Sequence, residues 1–215
     1  NSLGPLTLEF KGPGTTFQCL MAPHTHWVGG YQSVQAGRQF ASGLTECRLT
    51  CAVDKNSIEG TMRLTKPFLL YGGIVSGAVL SFRNGRLSSW QADEGEEYLE
   101  AYLDIDEDAA LVGGISLMDA GTPLDSINDI YKLPLLDRLR TTTVSLGGCP
   151  VDCVDSANLS AGGFLEEPHI NTSFVRADCP VGSSSLQVSA ITRTGERIEL
   201  MRNGLFNDSL LNRTK

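Results

Sequence analysis

Residues 74–82 form an apolar-rich run that meets Arg83-Asn84-Gly85-Arg86, and a second run returns over 87–92. Asn-Gly supplies the positive φ at both central positions that a two-residue type I′ turn demands, so this stretch is committed to an antiparallel hairpin. Much of the chain is punctuated in the same way. Leu6-Thr7-Leu8-Glu9-Phe10 alternates and stops at Gly12-Pro13-Gly14, and Thr16 to Leu20 begins a second strand. Further strands are predicted over 45–53, 60–64, 115–118, 142–146, 173–178, 186–192 and 197–201. Helices are predicted over 94–105, over 107–112 and from Ser126 toward Arg140, with Pro134 breaking or kinking the last. In the first helix Tyr98, Leu99, Tyr102 and Leu103 share an apolar face, and Glu94, Glu96, Glu97 and Glu100 a solvated one. This is an α+β pattern: a single domain over residues 1–215, core about 6–206, rich in antiparallel or mixed sheet with a few helices.

With 215 residues and 41% hydrophobic content the chain can bury a sizeable core. A net charge of −8 disfavours nucleic acid and anionic membranes, which reward clustered Lys and Arg, and favours basic partners. No apolar run reaches the roughly 18–20 residues that span a bilayer, and the start lacks a secretory pattern. Six irregularly placed cysteines are read as reduced thiols in the cytoplasm, a Cys149–Cys153 disulfide being the alternative.

Catalytic constellations are sparse. Only three histidines are present. His24 and His26 would share one strand face and offer half a zinc site, although a surface or loop pair is the commoner meaning of that spacing. His169 reads as a loop residue. Cys149 and Cys153 lack the second pair that a zinc site needs, and no Gly-x-Ser-x-Gly elbow precedes a helix. Gly72-Gly73, Gly113-Gly114 and Gly147-Gly148 are turn signals that would also let an extended peptide approach a sheet edge.

Several segments resemble the aminopeptidase T and aminopeptidase S family of metallopeptidases. Ile58-Glu59-Gly60-Thr61, Thr65-Lys66-Pro67, Tyr71-Gly72-Gly73 and the closing Met201-Arg202-Asn203-Gly204 follow its order. Val112-Gly113-Gly114-Ile115-Ser116-Leu117-Met118 resembles a Leu-Gly-Glu-Val-Ala-Leu-Val strand whose Glu binds metal, so Gly114 stands at a ligand position. Asp137-Arg138-Leu139-Arg140-Thr141-Thr142-Thr143-Val144-Ser145-Leu146-Gly147 resembles Asp-Glu-Asn-Ala-Ser-x-His-Ile-Ala-Leu-Gly, with Thr143 in place of a ligand His. Arg176-Ala177-Asp178-Cys179-Pro180-Val181-Gly182-Ser183 resembles His-x-Asp-Phe-Met-Ile-Gly-Ser, with Arg176 for a second His and Asp178 retained. The remaining ligand Glu falls at Arg48, or at Glu46 with a shift of register. The likeness covers the carboxy-terminal half of the family only, which implies a truncated relative.

A dinuclear hydrolase needs anionic or imidazole ligands converging on two ions, and a guanidinium there opposes cation binding. The resemblance therefore implies a pseudoenzyme without metal or other cofactor. It implies a cleft that still holds peptide, with Arg176, Asp178, Thr143 and Gly114 on the former metal floor and Arg48 and Arg140 beside it for acidic ligand groups. Arg176 has two natural partners, Asp178 or a ligand carboxylate, since the guanidinium fork suits bidentate recognition. The chain is also similar to the truncated peptide-binding proteins of crocagin-type ribosomal peptide biosynthesis. That likeness implies a precursor-peptide ligand and tailoring enzymes as partners, while the aminopeptidases imply a homodimer. Two alternatives remain at this level. One is a mononuclear metalloenzyme, hydrolase or ring-opening dioxygenase, using Asp178, His169 or Glu46. The other is a structural subunit for a separate amino-terminal half.

Overall fold

The computed structural model describes Gly4 and residues 6–29, 31–33, 38–41, 48–127, 130–155 and 168–208. Among them the strands are β1 (Thr7–Gly12), β2 (Thr15–Leu20), β3 (Tyr31–Ser33), β4 (Gln39–Ala41), β5 (Arg48–Ala52), β6 (Glu59–Arg63), β7 (Phe68–Leu70), β8 (Gly73–Val75), β9 (Val79–Arg83) and β10 (Arg86–Gln91). Helix α1 (Glu96–Leu103), β11 (Val112–Met118), the one-turn α2 (Pro134–Asp137), β12 (Thr143–Gly147), β13 (Arg176–Pro180), β14 (Gln187–Ile191), β15 (Arg197–Arg202) and β16 (Leu205–Phe206) follow.

An antiparallel eight-stranded sheet has the order β10-β9-β6-β2-β1-β14-β15-β16, and a four-stranded antiparallel sheet the order β13-β12-β11-β5. Strands β3 and β4, and β7 and β8, form two small hairpins. The large sheet contributes Leu8, Phe10, Phe17, Met62, Leu80 and Val188 to a core completed by Cys51, Ile115, Leu117, Val144, Leu146 and Cys179 of the small one. Burying each large apolar side chain contributes about 1.5–3 kcal/mol. Phe10 and Phe17, opposite one another on β1 and β2, stack with centroids 4.4 Å apart.

Asn84 and Gly85 have φ of 50° and 79°, as the Asn-Gly turn requires, and β9 pairs with β10 across it. The run expected as one strand over 74–82 is split between β8 and β9. Ser76 leaves the ladder to exchange backbone hydrogen bonds with Asp93 and Glu94. Helix α1 buries Leu99 and Tyr102 as its periodicity predicts.

The other two expected helices are corrected. Residues 107–110 form turns and Leu111 an isolated bridge with Arg86 before β11, because carbonyls of this stretch are taken by distant donors. Arg86 Nη1 donates to Glu107 O, Leu87 N to Ala110 O, and Asn171 Nδ2 to Asp108 O and Leu111 O. From Ser126 toward Arg140 only α2 forms among the described residues. Pro134 begins it, where its missing N–H costs nothing, and the Asp137 carboxylate turns back to accept from Tyr131 N and Leu133 N. No helix among the described residues is long and apolar enough to cross a membrane.

Candidate functional site

In an antiparallel sheet directly opposed residues share a face. The small sheet sets Ala52, Gly114, Ser145 and Asp178 in one row and Thr50, Ser116, Thr143 and Pro180 in the next, with Arg176 opposite Gly147 and Arg48 opposite Met118. Arg48, Gly114, Thr143, Arg176 and Asp178 therefore meet on the single face turned away from the core. The alternation that sends Ile115, Val144, Leu146 and Cys179 inward sends these residues outward.

Asp178 is the hub of the row. Its Oδ1 accepts from Ser145 Oγ at 2.6 Å and from Arg176 Nε at 2.9 Å. Burial pushes its carboxyl up, but the Arg176 guanidinium, the Ser145 hydroxyl and the charge of Arg48 outweigh burial and hold it below its ordinary value of 3.8. Thr50 Oγ1 and Ser116 Oγ lie 2.9 Å apart in the adjacent row. Thr143 is 1% exposed, and its Oγ1 has no hydrogen-bond partner among the described residues.

Two cavities open on this face. One, of about 330 Å³, lies between Arg48, Thr50 and Arg176 of the sheet and the segment Cys149-Pro150-Val151-Asp152-Cys153, with Arg138 at its side. The other, of about 270 Å³, runs from Arg176 and Asp178 to Phe68, Leu70, Tyr71 and Tyr102. Arg138 and Arg176 line both. Arg140 also lines the second, but it is 2% exposed and spends its guanidinium on Pro67 O and Ile127 O, 3.7 Å from Asp137.

Gly114 lies beneath Pro150. A Cβ built on it would sit 2.6 Å from Pro150 Cδ and 3.1 Å from Cys51 O, so the space a ligand side chain would occupy is filled by the proline ring. Of the Gly-Gly pairs expected to admit a peptide at a sheet edge, Gly72 turns at a φ of 86° into open space, while Gly73, Gly113 and Gly147 are closely packed inside the protein. A Cβ at Gly113 would meet Gly147 O at 2.1 Å, one at Gly73 the Tyr98 ring at the same distance, and β11 is an inner strand.

The three histidines are absent from the rows and the cavity walls of this floor. His24 adopts a left-handed φ of 54° rather than a strand conformation, and His26 Nδ1 bonds Asp155 Oδ1 at 2.9 Å. His169 Nδ1 bonds Asp54 Oδ2 at 2.9 Å, and among the described residues no group of three His, Cys, Asp or Glu joins it with Asp178 around an ion position. Glu46 lies outside the described residues. Cys149 and Cys153 are free thiols, pushed up by burial to about 11 and about 12.

The donor set does not fit a metal centre of the kind the family resemblance implies. Among the described floor positions assigned to ligands, Gly114 lies under a proline, Thr143 offers a hydroxyl, Arg48 and Arg176 carry guanidinium groups, and the Asp178 carboxylate is paired with Arg176. No group of three His, Cys, Asp or Glu among the described residues is placed to hold an ion.

Sequence reasoning missed Arg138, Ser145 and the segment 149–153. Arg138 had a signal, since it stands where the family run has Glu. Ser145 had the alternation of β12. Nothing local announces that Pro150 covers Gly114, because the contact joins segments far apart in the chain.

The comparisons with known proteins agree with this architecture. Aminopeptidase 2 of Geobacillus stearothermophilus is 28% identical over 198 residues, covering 92% of this chain and 48% of that protein. Aminopeptidase T of Thermus thermophilus is 28% identical over 197 residues, with the same coverage of each. The chain thus spans about half the length of the curated relatives it matches. The solved structure of wild-type AmpT from Thermus thermophilus superposes with a TM-score of 0.80 at 29% identity, over 93% of this chain and 49% of that one. Residues 1–206 match the family described as thermophilic metalloprotease (M29), and the chain belongs to that peptidase family.

Proposed function

We propose that this chain is a non-catalytic peptide-binding protein on an M29 aminopeptidase scaffold. It acts in the cytoplasm as a homodimeric accessory factor that holds a precursor peptide of a ribosomal natural product for tailoring enzymes. The observation that carries the reading is the outer face of the small sheet. Where the family resemblance places metal ligands, Gly114, Thr143 and Arg176 stand around Asp178, beneath cavities of about 330 and 270 Å³. A cleft shaped around a peptide keeps main-chain and side-chain recognition when the ions are gone, and without turnover the complex persists.

The test has three parts on one preparation, purified without chelator or metal-affinity steps. Elemental analysis and calorimetric titration with zinc, manganese and iron are expected to show no stoichiometric site, and aminoacyl-4-nitroanilides no hydrolysis. A peptide library is expected to give saturable binding. Tight metal with hydrolysis would return the protein to the enzymes. Light scattering checks the dimer.

A further inference from the structure

Arg176 stands at the junction of the two cavities. Its Nε is committed to Asp178 at 2.9 Å, and that is its only hydrogen bond among the described residues, so Nη1 and Nη2 remain for a ligand. Asp178 is itself anchored by Ser145 at 2.6 Å, which holds the carboxylate that Nε bonds. A fork held on one edge and open on the other matches a carboxylate, which takes two parallel N–H donors. Arg48 and Arg138 line the larger cavity beside it, with Asp152 the carboxylate among that cavity's described lining residues. Arginines thus outnumber carboxylates among that cavity's described lining residues, in a chain whose net charge is −8.

Across the junction the surroundings change. Phe68 and Leu70 are buried, and Tyr71, at a left-handed φ of 48°, is 56% exposed, with its ring centroid 5.9 Å from that of Tyr102. This is an apolar wall with a half-open aromatic rim, adjoining the cationic end. From this juxtaposition we infer that the site reads an acidic side chain flanked by an aromatic or large apolar residue, the carboxylate against Arg176 between Arg48 and Arg138 and the apolar group against Phe68, Leu70 and Tyr71. The inference rests on the peptide-binding reading and adds its specificity. It runs against the bulk charge, which favours basic partners: recognition is set by a few desolvated contacts, and the net charge acts mainly on encounter.

The experiment is a positional-scanning nonapeptide library with degenerate flanks and a fixed central pair, read by fluorescence anisotropy on the intact protein. Phe-Glu pools are expected to bind about tenfold or more tightly than Phe-Gln pools, since only the former offer a charge-assisted pair. Phe-Lys pools should bind least, and Ala-Glu pools should fall between. Arg176→Gln and, separately, Arg138→Gln should shrink the Glu-over-Gln preference, with circular dichroism checking the fold. The Glu/Gln comparison on the unaltered protein stands even where a variant does not fold. Equal binding of Glu and Gln pools, or preference for Lys, overturns the carboxylate assignment and leaves peptide binding standing. Binding by no pool overturns both.

Discussion

Gly114→Ala measures how firmly the position that the family resemblance assigns to a ligand is closed. The new Cβ would lie 2.6 Å from Pro150 Cδ and 3.0 Å from its Cγ, against an optimal carbon–carbon separation of about 3.5–4.0 Å, an overlap near 1 Å. The ring has little room to retreat. Cys149 N donates to Asn171 O at 3.0 Å and Cys153 O accepts from His26 N at 2.8 Å, so the segment is tied at both ends. Overpacking of this kind costs about 1–3 kcal/mol, and replacing a strand glycine by alanine returns about 0.5–1 kcal/mol by restricting the unfolded chain. The net expectation is a loss of about 1–2 kcal/mol, which lowers the urea midpoint by about half a molar for a slope of 2–3 kcal/mol/M. Pro150→Ala removes the offending ring atoms, and in that background Gly114→Ala should be neutral or slightly stabilising. The double-mutant cycle should therefore show about 1–2 kcal/mol of favourable coupling. If Gly114→Ala alone unfolds at the wild-type midpoint, or if Pro150→Ala brings no relief, the argument that proline has taken the ligand's space is refuted.

The acid limb of the stability profile should carry the signature of Asp178. Its folded-state carboxyl lies below the ordinary 3.8, so as the pH falls the unfolded chain takes up the proton first. The stabilisation is complete above that value and drains away as the pH drops below it; Asp178→Asn should flatten this part of the curve, and an unchanged limb would contradict the assignment. Asn171 is fully buried, donates to Asp108 O and Leu111 O and accepts from Ser173 N. Asn171→Ala leaves Ser173 N without its acceptor, while Asp108 O and Leu111 O keep Leu111 N and Gly147 N as donors, and should cost about 1–3 kcal/mol in denaturant titration. Cys149, pushed up to about 11, should alkylate with iodoacetamide at pH 8 far more slowly than glutathione, a rate followed by mass spectrometry. Tyr102→Phe removes a hydroxyl that donates to Leu146 O at 2.8 Å and should cost about 1 kcal/mol, measured by thermal unfolding.

What the sequence discloses here is set by the range of the interaction involved. Period-two alternation is local, and it puts Thr143 with Ser145 and Arg176 with Asp178 on one side of their strands before any partner is known. The Asn84-Gly85 turn is equally local. Assembly of those strands into one floor depends on registers between segments far apart, and there only the family resemblance points to Gly114, Thr143 and Asp178 as neighbours. The expected helix over 107–112 fails for the converse reason. Its residues suit a helix, but Asn171, some sixty positions later, takes the Asp108 carbonyl that the Val112 N–H of such a helix would use. Arg140, chosen for its charge, is occupied by backbone carbonyls. Arg138, two positions earlier, lines both cavities.

The order of the large sheet bears on how the chain is made. Strand β1 sits in the interior of that sheet, between β2 and β14, and Thr7 is opposite Ile191. A ribosome adding 5–20 residues per second needs on the order of ten to forty seconds to deliver β14 after β1 has emerged. During that interval the β1–β2 hairpin offers one uncovered edge, with Leu8 and Phe10 among its side chains, to anything that will pair with it. Closing so long a loop makes the final step slow compared with forming either hairpin. The vulnerable period of this protein is thus written into its strand order, and slowed elongation or a chaperone that shields extended chains should change the yield of folded protein more than any change to the floor of the site.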